Sequence, residues 1–141
     1  MDALAIAVPY VLFVWWFSTG AILFVVGASA RHDAIMKIVT GLSFVAARAG
    51  IAASSRVDGL AGVYCVFTCA ILIWGAIELS LLSGWITGPR PEPCPRACAP
   101  RDRLWFALQA IAYHEFALIA TAGLVFSVTR GASNQVGWWT F

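Results

Sequence analysis

The sequence predicts an all-α integral membrane protein, a bundle of four transmembrane helices with a proline-rich cytoplasmic loop. Three observations carry that expectation. Hydrophobic residues make up 61% of the 141 positions and charged residues only 11%, whereas soluble domains carry about 25% charge. The apolar residues gather into four blocks, each near or above the roughly 20 residues that cross a hydrocarbon core about 30 Å thick. Lys and Arg fall unequally between the two sides that these blocks define, as topology requires.

The first block covers about residues 3–28. Asp2 stands where a signal peptide would be basic, and the block exceeds an h-region, so it is expected to stay as an anchor. Within "VLFVWWFSTGAILFVVG", Trp15 and Trp16 lie mid-block. Tryptophan prefers the membrane interface, so the pair either packs inside the bundle or meets a bulky partner or pigment. Ser18, Thr19, Gly20 and Gly27 form a small-residue strip that would admit another helix closely.

The second block, about 34–53, holds Lys37 and Arg48, whose stems can lie along the hydrocarbon while their heads reach the interface. Its small residues Gly41, Ala46, Ala47 and Gly50 predict a helix inside the bundle. The third block, about 60–83, carries Cys65 and Cys69 one helical turn apart, read as core residues, and Glu78 about one and a half turns before its end. An ionised carboxylate there costs about 2–3 kcal/mol, which a Ser, Thr or Arg of a neighbouring helix would offset.

The connection 84–103, "GWITGPRPEPCPRACAPRDR", holds five of the six prolines and four arginines, which excludes a regular helix. Arg90 and Arg96 are its expected partner-facing tips, toward anionic headgroups or an acidic protein face, unless the loop is simply solvated. Cys94 and Cys98 would lie in a reducing compartment and stay unbridged. With no histidine nearby and only Glu92 and Asp102 as acids, no metal site is expected.

The fourth block, about 104–129, contains His114 and Glu115 some ten residues in. At 1.5 Å per residue that is roughly 15 Å deep, near the midplane. Adjacent helical residues point about 100° apart, so the two serve different contacts. Neutral imidazole is a ready axial ligand for the magnesium of a bacteriochlorophyll or the iron of a haem. Alternatively, His114 hydrogen-bonds across a helix interface and Glu115 pairs with Arg48. Glu78 approaches from an antiparallel helix, at a depth differing by roughly 8 Å, so the sequence predicts a small polar centre of Glu78, His114 and Glu115 that does not require direct contact. The tail 130–141 ends in Trp138 and Trp139, expected at the interface and facing a partner.

Arg31, Lys37, Arg90, Arg96, Arg101 and Arg103 lie on one side, and Arg56, Arg130 and the deeper Arg48 on the other. The richer side is cytoplasmic, which puts both ends in the periplasm of a bacterial inner membrane. The net charge of +2 is too small and scattered for nucleic acid. There is no H-E-x-x-H, G-x-S-x-G or phosphate loop, and no continuous ladder of acids, so a non-catalytic protein is expected.

"WWFSTG" at 15–20, "YCVFTCAILIWGAIE" at 64–78, "TGPRPEPCP" at 87–95, "YHE" at 113–115 and "NQVGWWTF" at 134–141 resemble the PuhE family of phototrophic bacteria over almost the whole chain. That resemblance implies assembly or stabilisation of the photosynthetic reaction centre and its core light-harvesting complex, with their subunits and the bilayer as partners and bacteriochlorophyll nearby. It carries over no catalytic residues. Members have a second His–Glu pair where this chain has Ile77 before Glu78, and they continue with more membrane segments, so the chain resembles an N-terminal half.

Overall fold

The computed structural model describes residues 3–28, 33–90, 92–95 and 98–141. Asp2, Arg31 and Arg96, used above for the anchor, the topology and the loop tips, lie outside the described residues. Five helices follow in order: α1 (Ala3–Ala28), α2 (Asp33–Ser54), α3 (Leu60–Leu82), α4 (Pro100–Thr129) and α5 (Val136–Thr140). The first four are long and apolar enough to cross a membrane.

α3 is the axis of the fold. Gly62, Val66, Ala70, Ile73, Ile77 and Ser80 are all buried on it, at three- and four-residue spacing, the rhythm of one helical face. α2 packs here through its C-terminal half, where Ala47 and Ile51 are its only buried residues among those described. Gly50 makes this possible, because a Cβ there would sit 2.6 Å from Cys69 Sγ. Ala47, Ile51, Ala70, Ile73, Ile77 and Val125 of α4 form one core cluster. The expectation that the second block lies inside the bundle is therefore corrected. Its small residues are split: Gly50 faces α3, whereas Gly41 has open space around it. Cys65 is also exposed rather than in the core, and Ser54 Oγ donates to its sulfur at 3.1 Å.

α1 touches the rest through α3. The Tyr10 hydroxyl donates to the Thr68 hydroxyl, which donates on to the Tyr64 carbonyl at 2.8 Å. The Tyr10 and Tyr64 rings lie 4.5 Å apart. None of α1's described side chains is buried.

α4 starts at Pro100, four residues before the apolar block, with proline in its first turn and Asp102 beside it. Both suit a helix start, since proline lacks only an N–H that has no partner there and the acid complements the dipole. Its 30 residues extend about 45 Å, well beyond the hydrocarbon thickness, so α4 overhangs the end of α3. The tail is also more ordered than an interfacial strip. Asn134 N–H donates to the Ser55 carbonyl at 3.0 Å, and its Oδ1 accepts from Val136 N–H at 3.1 Å. α5 then seats Gly137 against Val66, Ile51 and Thr129.

The loop after α3 begins as a folded turn, with the N–H groups of Trp85 and Ile86 donating to the Ser80 carbonyl at 2.8 and 3.1 Å. Farther on, Cys94 and Cys98 form a disulfide. This corrects the unbridged expectation: the proline-rich turn brings two cysteines four residues apart into bonding range, a local effect that compartment reasoning does not see.

Candidate functional site

The polar centre forms where α4 passes the C-terminal end of α3. Glu78 lies four residues before that end, and its Oε1 is 3.6 Å from His114 Nε2. The two groups expected at different depths are at the same level. The cause is the overhang of α4: the pair lies one turn, about 6 Å, before the end of α3, and His114 lies midway along α4.

His114 is 4% exposed, and its Nδ1 is buried without a hydrogen-bond partner. The 3.6 Å separation to Glu78 exceeds hydrogen-bond length. The lid over the pair comes from the loop. The Thr87 carbonyl accepts the His114 backbone N–H at 3.0 Å. Gly88 lies so close to α4 that an added Cβ would sit 1.8 Å from the Gln109 carbonyl oxygen and 2.8 Å from the Ala110 carbonyl carbon. Only a residue without a side chain fits this approach. Arg90 then folds its guanidinium over the Phe106 ring, 3.8 Å from the centroid, with Nε buried and unpartnered. It turns back onto α4 instead of reaching outward as a loop tip.

Glu115 points the other way. It is exposed, and among the described residues no ion pair joins it to Arg48. The three candidates therefore separate into a buried Glu78–His114 pair and an outward Glu115. His114 is thus enclosed by the protein itself. No group of three or more His, Cys, Asp or Glu gathers among the described residues.

The aromatic candidates also divide. Trp16 is 77% exposed and Trp15 is exposed beside it on α1, the Trp15 carbonyl accepting from the Ser18 and Thr19 hydroxyls at 2.9 Å. Trp138 is half-buried, its ring 4.9 Å from Phe126, while Trp139 is exposed. The sequence reading missed Thr87 and Gly88 as site-forming, although a glycine between Thr and Pro was a signal for close backbone approach. It also missed a cluster at the start of α2, where Asp33 accepts from Lys37 Nζ at 2.6 Å and from Trp85 Nε1 at 2.8 Å.

Together these features define a helical membrane protein with four candidate spans and a lidded carboxylate–imidazole pair near one end. The chain belongs to the family described as protein of unknown function DUF3623, whose pattern matches residues 1–141. It is 32% identical over 134 residues to a Rhodobacter capsulatus protein described as an uncharacterised 30.4 kDa protein in the puhA 5′ region. The match covers 92% of this chain and 49% of that protein, so the chain spans about half the length of its curated relative. No solved structure matches the chain.

Proposed function

We propose that the protein is a non-catalytic membrane subunit or assembly factor of the bacterial photosynthetic reaction centre and core light-harvesting complex, acting by helix packing. The photosynthetic setting rests on the relative's location in the puhA 5′ region and on the sequence resemblance. The observation that carries a packing role is the outer surface of α1. Trp15 and Trp16 face outward from the middle of that helix, whereas lipid-exposed tryptophan concentrates at the interfaces. Phe13 and Phe17 stack beside them with centroids 5.7 Å apart. A Cβ added at Gly20 or Gly27 would meet no other element within 4 Å among the described residues, which leaves their strip open to a helix from elsewhere. Glu115 adds an outward carboxylate on α4, a group that a membrane segment retains when a partner answers it.

The test replaces Trp15 and Trp16 by Leu in the full chain. Leucine suits lipid as well as tryptophan does, so a surface that meets only acyl chains tolerates the change. A packing surface loses its anchors. Expected is loss of co-sedimentation with reaction centre and antenna through a detergent gradient, with helical circular dichroism preserved. Wild-type protein migrating apart from an intact complex, or the double variant still co-sedimenting, would overturn the proposal.

A further inference from the structure

α2 packs tightly on α3 at Ala47 and Ile51 and buries none of its described residues nearer its start. Toward the α3–α4 loop the helices leave two cavities, of about 480 and 420 Å³, both lined by Thr40 and Ala76. They fall within the range of small-molecule sites. The larger has no charged lining residue. The smaller lies between α2, α3 and α4, with Phe44, Ile77, Ala117 and Thr121 in its walls and Lys37 and Trp85 also lining it. It is apolar along its length and polar at one end.

The chemistry of that end is specific. Lys37 Nζ lies 2.6 Å from Asp33 Oδ2 and 5.5 Å from the centre of the Trp85 ring, whose indole N–H donates to Asp33 Oδ1. An ammonium has three donors and a carboxylate about four acceptor positions, so after these contacts both groups keep hydrogen-bonding capacity. The pair presents adjacent opposite charges, the complement of a zwitterion. Trp85 marks the level as interfacial. Thr40, one turn inward of Lys37 and about 4.5 Å deeper, has a buried hydroxyl without a protein partner.

We infer that this cavity is a binding site for a zwitterionic phospholipid bearing a primary amine, of the phosphatidylethanolamine class. The phosphate accepts from Lys37, the headgroup ammonium donates to Asp33, and one acyl chain lies along Phe44 and Thr121 between α2 and α4. An ester carbonyl enters at the depth of Thr40, whose hydroxyl donates to it. The site discriminates by charge and by donors. A phosphatidylglycerol headgroup has no cation to offset Asp33, and a quaternary choline headgroup has no N–H to donate.

The experiment purifies the full chain in mild detergent from membranes containing phosphatidylethanolamine and phosphatidylglycerol, adds phosphatidylcholine in an exchange step, and weighs the retained lipid by native mass spectrometry. Expected is one phosphatidylethanolamine per chain, favoured over the other two by about tenfold, the span of one good charged contact. Asp33→Asn should abolish the preference for ethanolamine, and Lys37→Gln should lower retention of phospholipid altogether. Ala120 lines the cavity and is exposed, so Ala120→Phe should block the acyl chain while circular dichroism stays native. Four results would each overturn the inference: no retained phospholipid on the wild type, phosphatidylglycerol held as well as phosphatidylethanolamine, an unchanged preference in Asp33→Asn, or a retained molecule that is not a phospholipid.

Discussion

Gly88→Ala is the sharpest probe of the lidded pair. The new Cβ would start 1.8 Å from the Gln109 carbonyl oxygen, and ordinary van der Waals contact begins at 3.4 Å. The loop must therefore retreat by about 1.6 Å, because the obstacle is helix backbone and not the end of a flexible side chain. A retreat of that size removes the 3.0 Å bond from His114 N–H to the Thr87 carbonyl and lifts the cover from the Glu78–His114 pair. Overpacking of this kind costs about 1–3 kcal/mol, and the lost hydrogen bond adds about 1 kcal/mol. Thermal unfolding in detergent micelles, followed by circular dichroism, should show Tm lowered by several degrees. Gly20→Ala is the control, since a Cβ there would meet no other element within 4 Å among the described residues, and its Tm should match the wild type. Equal Tm for Gly88→Ala and the wild type would refute the seating of the loop on α4.

Other variants test the remaining joints. Tyr10→Phe deletes the hydroxyl that links α1 to Thr68, and should cost about 1 kcal/mol, read as a lowered Tm. Gly137→Val should loosen α5, because even a Cβ there would meet Val66 Cγ1 at 2.9 Å. Hydrogen exchange of the α5 amides reads that loosening directly, and unchanged protection would contradict the packing. Glu115→Gln, on an outward residue with no ion pair among the described residues, should leave stability within about 0.5 kcal/mol of wild type, whereas His114→Ala should cost about 2–4 kcal/mol as a buried side chain whose neighbour Glu78 is left beside a cavity. Equal effects of the two would deny that adjacent residues face opposite environments. The Cys94–Cys98 bridge should leave both cysteines unreactive toward maleimide in permeabilised cells until a reductant is added. Labelling of the two without prior reduction would contradict that bridge.

The spans were legible in the sequence because length and hydropathy are local properties: 3–28 and 60–83 match α1 and α3 to within a residue. Which helix is central was not. Gly and Ala mark close approach without saying on which side it occurs, and α2 uses Gly50 but not Gly41. For the candidate site, residue types pointed to Glu78 and His114, but their meeting depended on how far α4 slides past α3. That offset is decided by a loop seated through Gly88, a contact between backbones that leaves no hydropathy trace. The outward direction of Glu115 follows from the same docking.

Composition, block length and the spacing of titratable groups thus determined that the chain enters a membrane and which side chains demand company there, since the cost of burying charge in oil is a property of each residue. Pairing and exposure were decided by the packed helices. They depend on the relative translation and rotation of segments far apart in the chain, which are set by close contacts such as Gly50 on Cys69, Gly88 on Gln109 and Gly137 on Val66.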